Sequence, residues 1–187
     1  MNKTEILRYL RTSSRVDDER LFDLIDSCCD EVNRFVNPKT LHRIFDCKVD
    51  GDKIIVENMT FTSQRLAENL KGCERVCLFG ATLGTESDRL LRTYSSTDIS
   101  RMAVLQACLA SKIEEVCDRL EVKLIADGYS LRQRYSPGYF DLDITENKKI
   151  FELLDLTKRI GLTLTDTCQM VPTKSVTAFI GIENTGA

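Results

Sequence analysis

Features that mark many enzymes and nucleic-acid binders are scarce in this sequence. Its 187 residues include a single histidine, His42, and its 26 basic residues form no block. One histidine far from any matching serine or cysteine motif excludes triads of the Ser-His-Asp and Cys-His kinds. A formal net charge of −3 gives no reason to expect a nucleic-acid partner.

Long apolar runs are missing as well. The first thirteen residues, MNKTEILRYLRTS, contain no apolar stretch of the length that a secretory signal needs. No segment approaches the roughly 20 apolar residues that span a bilayer. We therefore expect a soluble, cytoplasmic protein with no membrane partner.

The eight cysteines form no Cys-x-x-Cys pair, and two of them, Cys28 and Cys29, are adjacent. Without a secretory signal a disulfide framework is not expected. A zinc site is not expected either, because the lone histidine has no neighbouring ligand pattern. Most of the cysteines occupy apolar positions, where a free thiol behaves as a small hydrophobic side chain.

Apolar periodicity predicts one α+β domain over residues 1–187, an antiparallel sheet with helices packed against it. A helical part, 1–40, precedes an α+β core, 41–187. A hairpin is predicted around Asp50-Gly51, since an Asp-Gly step between apolar runs favours a tight turn. Helices are predicted at 3–11, 17–36, 63–71, 98–121 and 146–159, and strands at 43–49, 53–57, 74–81, 162–165 and 175–182.

A loop with Gly80 and Gly84 between a strand and a helix resembles a phosphate-binding turn only loosely. It has neither a G-x-G-x-x-G pattern nor the lysine of a P-loop, so nucleotide binding there is not favoured.

A second candidate is the stretch Arg-Tyr-Ser-Pro-Gly-Tyr at 134–139. Pro137 fixes its own φ and biases Ser136 toward an extended backbone. Gly138 has no Cβ, so a ligand could approach its backbone closely. Arg134 offers a fork of donors that suits a carboxylate, and Tyr139 offers an aromatic face. The alternative interpretation is an ordinary Pro-Gly turn beside an exposed arginine.

The longest predicted helix, 98–121, carries an apolar stripe on one side and small residues on the other. Small residues let a second backbone or a ligand come close, so the helix is predicted to be central. Glu115 lies on the small-residue side and is the candidate carboxylate of a site. The alternative interpretation is a solvated acid near the end of the helix.

Four motifs in the second half of the sequence occur together and in order. Arg-x-x-Pro-Gly-Tyr at 134–139 is followed by KKIFELL at 148–154, by GLTLTD at 161–166 and by MVPTKSV at 170–176. This arrangement resembles the activation domain of cobalamin-dependent methionine synthase, in its free-standing form. The resemblance is tight over about a quarter of the chain and weak before residue 74.

The resemblance implies a site for S-adenosylmethionine. Arg134 would bind the methionine carboxylate, and the backbone of Ser136, Pro137 and Gly138 would meet the adenine edge. Tyr139 and Glu115 would lie near the sulfonium and ammonium groups. Glu114 takes the place of Glu115 if the helix register shifts by one residue.

The resemblance also implies a reaction in which S-adenosylmethionine methylates a cobalamin reduced from its cob(II) form. The cobalamin would be carried by a methionine synthase or another corrinoid protein, and a flavodoxin-like or ferredoxin-like protein would supply the electron. No catalytic residue of this chain is required, because the cobalt performs the nucleophilic chemistry.

The sequence contains neither a cobalamin-binding module nor the homocysteine and folate barrels, so we expect it to act in trans and to be inactive alone. One alternative is a non-enzymatic protein that docks on a corrinoid protein and has lost its ligand. Another is an unrelated small-molecule methyltransferase, which would turn over without a corrinoid.

Overall fold

The computed structural model describes residues 1–12 and 18–183 of the chain. This part contains seven α-helices, seven β-strands and one turn of 3-10 helix at Ile144–Glu146. The helices are α1 Lys3–Tyr9, α2 Glu19–Phe35, α3 Gln64–Asn69, α4 Thr85–Tyr94, α5 Ile99–Ala126, α6 Asn147–Leu154 and α7 Leu156–Ile160. The strands are β1 Lys39–Asp50, β2 Lys53–Val56, β3 Met59–Thr62, β4 Arg75–Thr82, β5 Thr163–Leu164, β6 Met170–Val171 and β7 Ser175–Ile182.

Five strands form one sheet in the order β3-β2-β1-β4-β7, and every neighbouring pair is antiparallel. The predicted hairpin joins β1 to β2, with Asp50 opposite Lys53 and Gly51 at φ +63°. The long strand β1 also pairs with β4, and β4 pairs with β7. Strands β5 and β6 form a separate ribbon of two strands. The antiparallel sheet with packed helices confirms the predicted fold class.

The sheet is covered on both faces by a hydrophobic core. Cys77 and Phe79 of β4 face the first core, which includes side chains of α1, α2, α4 and α5. Val76 and Leu78 face the second core, which includes side chains of α3, α6 and α7. Because both faces of β4 are buried, its sequence is a continuous apolar run rather than an alternating one.

Helix α5 is the element that carries the candidate site. Asp98 caps it, because its side chain accepts a hydrogen bond of 2.8 Å from the backbone N–H of Arg101. It contacts α1, α2 and α4 as well as β4 and β7, and its buried residues belong to the first core. The helix is therefore central, as predicted, and it extends five residues beyond residue 121.

Three local features differ from the predictions. The short strands β3 and β6 were not predicted, and the predicted helix 146–159 is divided at Asp155, whose φ is +52°. Leu154 and Leu156 would point to different sides of one continuous helix. The break lets both enter the second core.

At the N-terminus, Asp18 caps α2, which begins at Glu19, while Asp17 of the predicted helix 17–36 lies outside the described residues. Within the described ranges no helix combines the length and the apolar character that crossing a membrane requires.

Candidate ligand-binding site

A cavity of about 440 Å³ lies between the middle of α5, the loop of residues 133–142 and the start of β7. We call it the Arg134 cavity and the loop the Pro-Gly loop. The volume is within the range of about 300–1,000 Å³ that is usual for small-molecule sites. The cavity is lined by Glu114, Gln133, Arg134, Tyr135, Ser136, Pro137, Tyr139, Phe140, Met170, Ser175, Val176 and Thr177. It therefore brings together the first and last of the four motifs, which lie more than 30 residues apart.

The first half of the Pro-Gly loop is fixed against β7. Tyr135 and Phe179 exchange two backbone hydrogen bonds, of 2.9 and 2.8 Å, and Arg132 donates another of 2.8 Å to the carbonyl of Gly181. These bonds extend the sheet locally beyond its edge strand. They place Arg134, between the two anchored positions, next to α5.

The chain then reverses in a β-turn over residues 136–139. The N–H of Tyr139 donates to the carbonyl of Ser136 at 3.3 Å, and Gly138 has φ +89°. Proline followed by a residue of positive φ is typical of a type II turn. Gly138 does not line the cavity, because a Cβ on it would meet Ile144 at 3.8 Å. The sequence analysis expected a glycine here so that a ligand could approach its backbone. In the structure the glycine is instead required by the positive φ of the turn.

The second half of the loop is fixed to the start of α3 by Asp141. Its carboxylate accepts hydrogen bonds from Ser63 Oγ at 2.7 Å and from the backbone N–H groups of Gln64 at 2.7 Å and Arg65 at 3.2 Å. The hydroxyl of Tyr135 donates to it at 3.3 Å. The hydrogen bond from Ser63 and those from the backbone hold the pKa of Asp141 below its usual value.

Arg134 is held by three carboxylates of α5. Its Nη2 donates to Glu114 at 2.7 Å, and its Nη1 donates to Asp118 at 2.9 Å and to Glu121 at 2.7 Å. The three acids follow one face of the helix at spacings of four and three residues. Burial opposes the charged guanidinium, but the charges of Glu121, Asp118 and Glu114 outweigh it, so the pKa of Arg134 is raised.

The guanidinium of Arg134 keeps donors for a ligand. The three bonds account for three of its five N–H groups. Its Nε–H and one Nη2–H make no hydrogen bond within the described part of the chain. The side chain is 23 % exposed, and Arg134 is one of the residues that line the cavity.

Of the two acids considered from the sequence, Glu114 and not Glu115 lies at the Arg134 cavity. Glu115 instead pairs with Lys112 at 3.5 Å and with Arg119, on the flank of α5 that faces α1. One residue along an α-helix turns the side chain by about 100°. The structure therefore places the alternative register, with Glu114, beside Arg134.

The mouth of the cavity is aromatic. Tyr139 and Phe140 are 65 % and 77 % exposed, which is unusual for side chains of their size. Phe140 lies 5.9 Å from the ring of Tyr135, and the guanidinium of Arg65 lies 4.8 Å from the ring of Phe140. The sequence analysis selected Tyr139 but missed Phe140. Phe140 could have been selected from the sequence, because it and Tyr139 form an aromatic pair directly after the Pro-Gly turn.

The polar floor of the cavity was also missed. The hydroxyl of Thr177 donates to Asn147 Oδ1 at 2.5 Å, and both residues are buried. Ser175 Oγ lies 2.7 Å from the carbonyl of Pro172 and 2.8 Å from Thr82 Oγ1. These polar groups were not selected because their grouping depends on how β7 packs against β4 and α6.

Comparison with models of protein families shows the family to which this chain belongs. The sequence model of the family described as "Vitamin B12 dependent methionine synthase, activation domain" matches residues 66–186, about two thirds of the chain. The chain belongs to this family. The matched range contains every residue that lines the Arg134 cavity.

The activation-domain fold is also seen in a solved structure of the MetH reactivation domain bound to AdoHcy. The two chains are 20 % identical and superpose with a TM-score of 0.70, over 96 % of this chain and 70 % of the other. At this identity the likeness shows the fold. The comparison with curated protein sequences gave no match.

Proposed function

We propose that this activation domain binds S-adenosylmethionine in the Arg134 cavity and supports reductive methylation of cob(II)alamin carried, in trans, by a cobalamin-dependent methionine synthase. The observation that carries the proposal is the convergence of two family motifs, at 134–139 and 170–176, on one cavity beside α5. The similar reactivation domain was bound to AdoHcy, the compound that S-adenosylmethionine becomes when it gives up its methyl group.

The charges around the cavity suit the methionine end of S-adenosylmethionine. The two remaining N–H donors of Arg134 would bind the carboxylate of the ligand. Three acids surround this one arginine, so the cluster keeps an excess of negative charge. That excess favours the ammonium and sulfonium cations of the ligand, with Glu114 as the lining acid.

The turn at residues 136–139 and the aromatic mouth would hold the other parts of the ligand. Ser136 and Pro137 line the cavity, and their backbone groups would meet the adenine edge. Tyr139 would offer its ring to the sulfonium. The partner's corrin cobalt would supply the nucleophile, and a flavodoxin-like or ferredoxin-like protein would supply the electron. This chain would contribute proximity, since it would hold the donor methyl group at an exposed mouth.

One observation favours the second candidate, a docking protein that has lost its ligand. The guanidinium of Arg134 already bonds three carboxylates of its own chain, so a ligand carboxylate would have to share it. In that case the exposed Tyr139 and Phe140 would serve contact with the corrinoid protein alone.

Calorimetry with S-adenosylmethionine separates the two candidates and provides the first test. Arg134→Lys keeps the positive charge among the three acids but loses the planar fork. We expect the variant to bind more weakly by about 1.5–3 kcal/mol, the scale of a charged hydrogen bond. Arg132→Lys is the matched control, because Arg132 pairs with Glu183 and does not line the cavity. Equal affinity of the wild type and Arg134→Lys would remove Arg134 from the site, and no binding by the wild type would favour the docking candidate.

The second test is reactivation in trans. The chain is mixed with a methionine synthase that lacks its own activation domain, in the cob(II)alamin form, together with a one-electron donor. We expect the corrinoid absorption spectrum to change to that of methylcobalamin. Omission of S-adenosylmethionine or use of Arg134→Lys should suppress the change. Equal reactivation without this chain would show that the proposal is wrong.

A further inference from the structure

Two cysteines from distant parts of the sequence are in direct contact between α2 and α5. Cys29 of α2 and Cys108 of α5 have their sulfur atoms 3.7 Å apart, although 79 residues separate them along the chain. All eight cysteines are free thiols. Other thiols bond to backbone instead: Cys47 to the carbonyl of Cys73 at 3.6 Å, and Cys77 to the carbonyl of Leu78 at 3.8 Å.

The two thiols differ in exposure and in acidity. Cys108 is completely buried, while Cys29 is half-buried. The hydrogen bond with Cys108 lowers the pKa of Cys29, against the effect of burial. The same hydrogen bond, together with burial, raises the pKa of Cys108. Since the thiolate is the reactive form of cysteine and Cys29 is the more exposed of the two, Cys29 is the residue of the pair that reacts first with a peroxide.

We propose that Cys29 and Cys108 form an oxidisable dithiol, which a peroxide converts into a disulfide between α2 and α5. The thiolate of Cys29 attacks one oxygen of hydrogen peroxide, the O–O bond breaks, and a sulfenic acid and hydroxide result. The sulfur of Cys108 then attacks the sulfenic sulfur, and the hydroxide that leaves takes the proton of Cys108 as water. In total, two thiols lose two electrons and two protons, and one peroxide becomes two waters.

The geometry is close to that which the product needs. The sulfurs must move from 3.7 Å to about 2.05 Å, a shift of about 1.7 Å shared by two side chains. Helices α2 and α5 already pack against each other at this point. The bond would restrict the unfolded chain by closing a loop of 79 residues, so oxidation should raise the midpoint of thermal unfolding.

Peptide mapping of the full chain tests the proposal. The folded protein is treated with hydrogen peroxide, the remaining thiols are alkylated, and the digest is analysed without reduction. We expect one main cross-linked species, within a single chain, that joins the peptide of Cys29 to that of Cys108. Cys28→Ser is the matched control, because Cys28 is adjacent and its burial raises the pKa of its thiol to about 11. This variant should keep the cross-link, whereas Cys29→Ser should lose it.

A second variant traps the intermediate. In Cys108→Ala the sulfenic acid on Cys29 has no resolving thiol, so dimedone should label Cys29 to at least ten times the extent seen in the wild type. Circular dichroism shows whether Cys108→Ala is folded. If it is not, peptide mapping of the wild type alone decides whether Cys29 and Cys108 form a disulfide. The proposal would be overturned if folded wild type gave no link between Cys29 and Cys108 or gave it only between two chains. It would also be overturned if Cys29→Ser formed as many disulfides within one chain as the wild type does.

Discussion

At the scale of single residues, the position of Arg134 depends on α5 as much as on the Pro-Gly loop. Glu114, Asp118 and Glu121 bond its guanidinium from successive turns of the helix. An arginine held in this way loses little side-chain freedom when a ligand binds, which favours affinity. The same bonds mean that Arg134→Ala would leave three carboxylates facing one another, so lysine is the better substitution.

The choice between Glu114 and Glu115 gives a prediction with an internal control. Glu114→Gln removes a charge that lines the cavity, and we expect it to weaken binding of S-adenosylmethionine by about 1.5–3 kcal/mol. Glu115→Gln changes a side chain on another flank of α5, and its effect on affinity should be below about 0.5 kcal/mol. Calorimetry on both variants decides. If Glu115→Gln lost more affinity for S-adenosylmethionine than Glu114→Gln, Glu115 would be the acid of the site, as first expected from the sequence.

At the scale of elements, the Pro-Gly loop is held at both ends while its middle presents the cavity surface. Backbone bonds to β7 fix the start, and Asp141 fixes the end to α3. Between these anchors the type II turn sets the direction of Tyr139. The loop is therefore arranged before a ligand arrives, and changes to its anchors should affect binding without any lost ligand contact.

Substitution of Gly138 tests the turn. Gly138→Ala places a side chain at φ +89°, and we expect a loss of about 1–2 kcal/mol of folding stability together with weaker ligand binding. Gly128→Ala, at φ +93° after α5 and outside the cavity, should lose similar stability but bind normally. Urea unfolding and calorimetry measure the two effects. Normal affinity for S-adenosylmethionine in folded Gly138→Ala would show that the conformation of this turn does not affect ligand binding.

The anchor at Asp141 gives a prediction about pH. The folded-state pKa of this carboxyl is depressed below the ordinary value of 3.8, so its contribution to stability is fully present above that value. The contribution is lost as the pH falls through the folded-state pKa. We expect Asp141→Asn to be less stable than the wild type near pH 7 and the difference to close below about pH 3.8.

Thermal unfolding over a range of pH values measures this difference. Asp166→Asn, at an exposed position in the loop before β6, controls for the loss of one exposed carboxylate. A difference between wild type and Asp141→Asn that stayed constant down to pH 2 would show that the charge of Asp141 does not stabilise the fold.

At the scale of the whole molecule, one sheet separates two cores, and the helices of the N-terminal part belong to the first of them. Ile6 of α1 and Ile25 and Val32 of α2 are completely buried there, and both helices pack against α5. The family match begins at residue 66, whereas the similarity to the solved reactivation domain extends over 96 % of the chain. The first helices are thus part of the fold although the family model does not reach them.

Removal of residues 1–36 tests this conclusion. The change would expose the surface of α5 that these helices cover, and each buried aliphatic side chain of this kind contributes about 1.5–3 kcal/mol. The total is comparable with the whole stability of a domain, about 5–15 kcal/mol. We expect the shortened chain to show no cooperative unfolding in urea, while Ile25→Ala in the intact chain loses about 2–5 kcal/mol. A cooperative transition at the wild-type midpoint would show that the core folds alone.

Local chemistry in the sequence determined much of this structure. The Asp50-Gly51 hairpin and the turn at Pro137-Gly138 depend on residues a few positions apart, and both lie where the sequence indicated. The periodicity of apolar residues likewise predicted the α+β class and a central α5, because it reflects which face of an element is buried. The order of four motifs indicated the family.

Tertiary structure decided the features that depend on how elements pack. Periodicity did not decide between Glu114 and Glu115, since the two are adjacent on α5 and only the position of Arg134 shows that Glu114 is the acid at the cavity. The left-handed break at Asp155 follows from burial of both neighbouring leucines in one core. The contact of Cys29 with Cys108 joins residues 79 positions apart. Rules of local sequence concern neighbours along the chain, whereas these contacts exist only because separate helices and strands pack side by side.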